Sequence, residues 1–208
     1  GAGVRGVRGA GGLGGRPRRV GGGGGVGRGG AQRRDDIREL AVIAKAHGAI
    51  SVCDNTFASP ALQNPIALGV DLVVHSMTKY LGGHADVLGG ALVTSRDDLH
   101  ESLAFAQNAL GAVPSPFDAW LVLRGIKTLA VRMDRHCDNA EIVAKFLREH
   151  RAVARVHYPG LPDDPGHAIA RKQMRRFGGM LSFELKDAGH AVERLRRVEV
   201  LLLAESLG

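Results

Sequence analysis

An α/β fold, with a mostly parallel sheet and helices between its strands, is predicted by three features of the sequence. From residue 35 onward, short apolar runs alternate with stretches of helical periodicity. Of those runs, residues 72–75 are followed at once by polar side chains, and residues 49–52 after the single residue Cys53. In such sheets ligands sit outside the carboxyl ends of the strands, and the polar residues here are of ligand-binding types.

Taken in order, Asp35 or Asp36 caps a helix that runs to about residue 47. Ile37, Leu40, Ala41 and Ala44 lie on one face of it, and Gly48 stops it. The strand 49–52 follows. Asn64 and Pro65 have the order of a cap and a first-turn proline, which opens a short helix ending near Gly69. The runs 72–75 and 88–94 read as two more strands, and residues 96–109 as a helix. A long helical region spans 116 to about 150, broken near Gly125. Beyond it the elements shorten: strand 153–158, helix 167–174, strand 180–185, helix 190–198 and strand 200–204. This change places a boundary near residue 150, between a first domain at 35–150 and the start of an α+β domain at 151–208. No internal repeat is visible.

Residues 1–34 are of another kind. They hold eight arginines and no acid, and 16 of the 30 glycines fall within the first 30 residues. They carry +8 against a net +7 for the chain, so residues 35–208 carry −1 and the basic character is not theirs. A segment so poor in large apolar side chains cannot offset its ordering entropy and reads as disordered. Arg/Gly-rich runs can bind RNA, but this one has no aromatic residue for base stacking, so nucleic acid is not the expected partner. The two cysteines, Cys53 and Cys137, imply no disulfide framework and a reducing compartment. No run of about 18 apolar residues predicts a membrane span, and the first residues lack the apolar core of a signal peptide. A cytoplasmic protein is the expectation.

The chemistry gathers in two segments. The first, from Asp71 to His84, reads D-L-V-V-H-S-M-T-K-Y-L-G-G-H and sets Ser76, Thr78 and Lys79 directly after a strand. Hydroxyls can hold a phosphate, and a lysine shielded from water can lose its proton and join an aldehyde as a Schiff base. The second, from Cys53 to Pro60, reads C-D-N-T-F-A-S-P. Asp54 there ends a strand, where a buried carboxylate can pair with a protonated pyridine nitrogen. Aldehyde, phosphate and pyridine ring belong to one cofactor, pyridoxal 5'-phosphate (PLP). A surface role for Lys79, a turn-capping role for Asp54 and purely backbone roles for Ser76 and Thr78 account less well for the grouping. His75 and His84 read as structural residues rather than metal ligands. Cys53 reads as a small core residue and Trp120 as helix packing. Tyr80 packs either beside the cofactor or against the core.

These segments resemble the PLP-dependent enzymes of cysteine and methionine metabolism, the trans-sulfuration family, and most closely its bacterial cystathionine gamma-synthases. The similarity runs over about residues 35–208. It is carried by D-N-T-F-A-S-P-A-L-Q-N-P (54–65), H-S-M-T-K-Y-L-G-G-H (75–84), R-G-I-K-T-L (124–129), Y-P-G-L-P (158–162), F-G-G-M-L-S-F (177–183) and L-A-E-S-L-G (203–208). Ala85 stands where the family usually has serine or another small polar residue.

The resemblance implies a fold type I large domain, aspartate-aminotransferase-like and partial, joined by a long helix to part of a smaller C-terminal domain. It implies Lys79 as the cofactor lysine and proton carrier, Asp54 on the ring, and Ser76 and Thr78 on the phosphate. Ser206 and Leu207 would meet the substrate's amino-acid carboxylate, and Glu205 a second ammonium group. The implied reaction is γ-replacement, forming cystathionine from cysteine and O-succinylhomoserine. A cystathionine gamma-lyase, a homocysteine-forming sulfhydrylase, and an inactive remnant with an RNA-binding tail are the alternatives. The family implies small amino-acid substrates and a homo-oligomer, a dimer of dimers. Its ring-stacking aromatic, phosphate loop and substrate arginine have no counterpart here. The chain therefore reads as the middle of such an enzyme, inactive alone.

Overall fold

The computed structural model describes residues 4–7, 35–187 and 189. The larger sheet has the order β1-β2-β3-β4: β1 (Val4–Val7), β2 (Ile50–Asp54), β3 (Leu72–Ser76) and β4 (Gly90–Val93). β2 and β3 are parallel, with Val52 opposite Leu72 and Asp54 opposite Val74. α2 (Ser59–Leu62) and a 3-10 turn at Ile66–Leu68 connect them. That turn replaces the short helix expected after Asn64, and it ends where Gly69 takes φ +97°.

Two strands depart from the parallel expectation. β4 runs antiparallel to β3, with Ser76 opposite Gly90. The residues between them hold no crossover helix: after the turn at Met77–Leu81 the chain folds back, and the Met77 N–H donates to the Gly89 carbonyl at 2.8 Å. β1 lies in the segment expected to be disordered and pairs antiparallel with β2, Val4 opposite Cys53. The outer edge of β2 offers unpaired backbone groups, and two β-branched residues suit a strand there.

α1 (Ile37–Ala46) forms because Asp36 caps it, accepting the Glu39 N–H at 3.2 Å, and because Ile37, Ala41 and Ala44 return to one buried face. That face packs against Cys53, Val70 and Val73. Side chains alternate along a strand. Ser51, Cys53, Val73 and His75 therefore take the buried α1 side, and Ile50, Val52, Asp54, Leu72, Val74 and Ser76 the more open side.

The second core gathers Leu62, Met77, Leu81 and Val87 against α4 (Pro116–Ile126) and α5 (Leu129–Glu149), through Val122, Leu129, Met133 and Cys137. Ser115 caps α4, accepting the Asp118 N–H at 3.1 Å, and Pro116 fits its first turn. The break in the long helical region falls at Lys127–Thr128, just past Gly125. α3 (Asp97–Leu110) buries none of its side chains and ends on Gly111 at φ +68°.

After α5, β5 (Val153–His157) and β6 (Ser182–Leu185) make a separate antiparallel pair, with α6 (His167–Gln173) between them in sequence. Tyr158 and Leu161 pack on Ala140 and Ala144 of α5. Arg176 bonds Asp138 at 2.8 Å and Glu141 at 3.0 Å, tying residues near 176 to the same helix. The expected helix 190–198 and strand 200–204 lie outside the described residues.

Ile37 is fully buried under the sheet, whereas Val42 on the same helix is 64% exposed. Ile37→Ala should lower stability by about 2–4 kcal/mol through lost burial and a cavity, and Val42→Ala by no more than about 0.5 kcal/mol. Denaturant midpoints of the two variants check the difference.

Candidate active site

The ends of β2 and β3 are laced together. The Asn55 N–H donates to the Val74 carbonyl at 2.9 Å, and the Ser76 N–H to the Thr56 hydroxyl at 2.8 Å. Asp54 and Ser76 thus leave adjacent parallel strands on the same face. Asp54 Oδ1 accepts the Thr56 N–H at 3.0 Å, which orients the carboxylate. That carboxylate is exposed, whereas the sequence suggests a buried one.

The D-N-T-F…L-Q segment has a mechanical reason for its residue types. Asn55 donates from Nδ2 to the Gln63 carbonyl, and Gln63 donates from Nε2 to Asn55 Oδ1, both at 2.9 Å and both buried. This exchange closes the loop that follows Asp54. Inside it Ser59 is held at φ +58°, with its N–H on the Asn55 carbonyl at 2.8 Å. A non-glycine residue there costs on the order of 1–3 kcal/mol, so the surrounding bonds must over-determine the turn.

After Ser76 the chain makes a π-helical turn, Met77–Leu81. Lys79 leaves helical geometry within it, at φ −96° and ψ −127°. Met77 N–H donates to the Gly89 carbonyl at 2.8 Å, and Gly89 N–H to the Thr78 hydroxyl at 3.1 Å. The turn closes through Gly82 N–H to Met77 O at 2.9 Å and Gly83 N–H to Lys79 O at 2.8 Å. Lys79, Thr78 and Ser76 therefore belong to one hydrogen-bonded unit at the end of β3. Thr56, Asn55 and Gln63 hold that unit to β2. The quoted motif contained all three of them, yet nothing in residue type or spacing marks an Asn–Gln exchange across eight positions.

Tyr80 packs against the second core. Its ring centre is 5.3 Å from that of His136, and its hydroxyl lies 3.0 Å from where a Cβ on Gly179 would be. Burial, and then the neighbouring Cys137, raise its pKa. Gly125 of R-G-I-K-T-L touches the same turn from behind: a Cβ there would collide with the Gly82 carbonyl.

The remaining singled-out residues fall in place individually. Burial pushes the Cys53 thiol up to about 12, with Asp54 adding to the rise, and burial raises Cys137 as well. Neither is set up as a nucleophile. His75 is buried on the α1 side; its pKa is lowered by burial, with Asp54 pulling the other way. His84 donates from Nδ1 to the Gly82 carbonyl at 2.9 Å. Among the described residues no group of three His, Cys, Asp or Glu could hold a metal ion, and no helix is long and apolar enough to cross a membrane. Trp120 is about half exposed, beside Phe117 of the same helix and under the Arg124 guanidinium. Glu205, Ser206 and Leu207 lie outside the described residues.

The model of the Cys/Met metabolism PLP-dependent enzyme family matches residues 31–208. The chain belongs to that family. Its cofactor is therefore PLP, and its fold is type I. The chain is 54% identical over 173 residues to a cystathionine beta-lyase of Lactococcus lactis subsp. cremoris, covering 83% of this chain and 46% of that protein. It is 55% identical over 174 residues to a cystathionine gamma-synthase of Mycobacterium bovis, covering 83% and 45%. A crystal structure of cystathionine gamma synthase from Xanthomonas oryzae pv. oryzae, in complex with aminoacrylate and cysteine, superposes with a TM-score of 0.82 at 48% identity, covering 84% of this chain and 46% of that one. The chain spans about half the length of the curated relatives it matches. The beta-lyase activity was not among the alternatives drawn from the sequence.

The Asn55–Gln63 exchange supplies a direct check. Asn55→Ala strands the buried Gln63 amide and should destabilise by about 1–3 kcal/mol. The Cys53 thiol, unreactive in the folded protein, should then be alkylated at lower denaturant concentration than in the parent. Mass mapping of iodoacetamide adducts against urea measures both effects.

Proposed function

We propose that this chain carries the cofactor lysine and ring-anchoring aspartate of an enzyme that forms cystathionine from cysteine and an activated homoserine, O-succinylhomoserine or a close relative. The observation that carries the reading is the lacing of two parallel strand ends, one bearing Asp54 and the other running through Ser76 into Thr78 and Lys79. The donor set fits the group: one amine for the aldehyde, one carboxylate for the ring nitrogen, two hydroxyls for the phosphate.

When bound, PLP supplies an electron sink for negative charge developing at the substrate's α carbon. The chain's own residues bind, orient and move protons. Asp54, aimed by the Thr56 N–H, keeps the ring nitrogen protonated, the form in which the sink works best. Thr78 accepts one hydrogen bond from Gly89 and keeps its own O–H to donate to a phosphate oxygen. Lys79 would hold the cofactor through its amine, and the free amine would serve as the base for the α proton and return a proton later in the reaction. Ser206 and Leu207 meet the substrate carboxylate in this reading, and Glu205 meets an ammonium group.

The P-A-L-Q-N-P stretch and His75 favour the synthase, being similar to bacterial synthases. The second reading is a lyase that cleaves a carbon–sulfur bond of cystathionine, favoured by the 54% identity to a protein of that activity. A homo-oligomer is part of the proposal; Phe117, Trp120 and Leu123, exposed along α4, are the surface that favours it.

Product assays with both substrate sets, made on the enzyme extended to the full length of its relatives, separate the readings. Cystathionine formed from cysteine and O-succinylhomoserine is expected; its absence, with rapid breakdown of cystathionine, would make the enzyme a lyase. Lys79→Ala should lower kcat/KM by at least about a hundredfold and remove borohydride-stable labelling by PLP. Labelling retained in that variant would assign the cofactor to another lysine.

A further inference from the structure

The site as described uses the front of the Lys79 turn, and its back carries an unexplained cation. Arg132 projects from α5 toward this turn. Its Nε donates to the Thr128 hydroxyl at 3.0 Å, and its Nη2 to the Gly125 carbonyl at 2.8 Å. The rest of the guanidinium lies on Gly83, so closely that a Cβ at that position would run into Nη1 and Cζ. Gly83 stands at φ +76°, and its N–H donates to the Lys79 carbonyl at 2.8 Å. On the other side of the turn, Gly125 meets Gly82 with no room for a side chain.

Arg132 forms no ion pair with any described carboxylate, and burial lowers its pKa. A half-buried guanidinium kept without a carboxylate is costly. Its hydrogen bonds all run to the α4–α5 junction, and its plane covers the glycine that closes the lysine turn. The structure thus joins R-G-I-K-T-L to K-Y-L-G-G-H through one side chain. The first supplies the carbonyl and hydroxyl that hold the guanidinium, and the second the bare glycine it covers.

We propose that Arg132 is a positioning residue for Lys79, acting through Gly83. Clamped to Gly125 and Thr128, the guanidinium fixes the Gly82–Gly83 turn. That turn fixes the Lys79 carbonyl, and with it the direction in which the lysine side chain leaves the backbone. This rests on the reading of Lys79 as the cofactor lysine. Lys79 is already off helical geometry, so the turn has no regular helix to hold it and needs an outside support. Misplacement of a reacting group by about 1 Å costs up to a hundredfold in rate, enough to make such a support worth its desolvation.

The test is made on the purified protein with Arg132→Met, Arg132→Lys and Thr128→Val. Methionine keeps the length without the donors, lysine can keep the bond to the Gly125 carbonyl, and Thr128→Val removes one acceptor alone. Three properties are followed: the melting temperature, the rate at which added PLP becomes borohydride-stable on Lys79, and the pH midpoint of the visible absorbance of the bound cofactor. Arg132→Met should load PLP at least about tenfold more slowly and shift that midpoint by half a unit or more. Arg132→Lys should recover most of both, and Thr128→Val should move both the same way by less. If Arg132→Met does not fold, Thr128→Val decides alone. Unchanged loading and an unchanged midpoint, with only a lower melting temperature, would overturn the proposal and leave Arg132 a packing residue. Loss of the Lys79 assignment is a separate outcome, because PLP would then label another lysine in the parent protein as well.

Discussion

The parallel pairing of β2 with β3 is the constraint on which the rest of the site depends. Register sets Asp54 beside Val74, so Asp54 and Ser76 emerge on one face of neighbouring strands. The Thr56 hydroxyl, accepting the Ser76 N–H at 2.8 Å, extends the pairing past the point where the ladder ends. A one-residue slip would turn Asp54 toward α1 and Cys53 toward the open face. Cys53 and Val73, packed against Ile37 and Ala41, resist that slip, because it would take apolar side chains out of their core. The hydrophobic face of the sheet thus fixes the geometry of its polar face.

Two kinds of support then hold the irregular backbone around Asp54 and Lys79. In front, the loop after Asp54 is closed by the buried amide exchange of Asn55 and Gln63, which keeps Ser59 in a left-handed conformation. Behind, the lysine turn is backed by contacts too close for side chains, Gly82 on Gly125 and Gly83 on Arg132. The motifs that look like separate signatures in the chain are parts that touch. The R-G-I-K-T-L and K-Y-L-G-G-H segments share one contact surface, and Gly179 of F-G-G-M-L-S-F meets Tyr80 and His136 beside it.

Most of this was legible in the sequence where one local rule applied. Asp36 as a cap, the buried stripe of α1, the pair of apolar strands and the break in the long helix follow from periodicity and capping alone. Lys79, Asp54, Ser76 and Thr78 stand next to strand ends as the pattern predicts, and the structure laces those two strand ends together; their roles on a cofactor are the proposal made above. Contacts between segments far apart in sequence were not legible. The direction of β4 depends on how residues 77–89 reverse, and no propensity encodes that. The exposure of Asp54 and Trp120 depends on what packs over them. The contacts of Arg132 are with two glycines and a threonine outside its own helix, so an arginine inside a helix gave no sign of them.

The central claim is that Asp54 and Lys79 act on one cofactor held across the ends of β2 and β3. A crystal structure of the protein grown with PLP tests it most directly. The account predicts density continuous from Lys79 Nζ into the cofactor, the Asp54 carboxylate against the ring nitrogen, and the phosphate within reach of Ser76 and Thr78. A cofactor bound with its ring nitrogen away from Asp54, or joined to a different lysine, would contradict it.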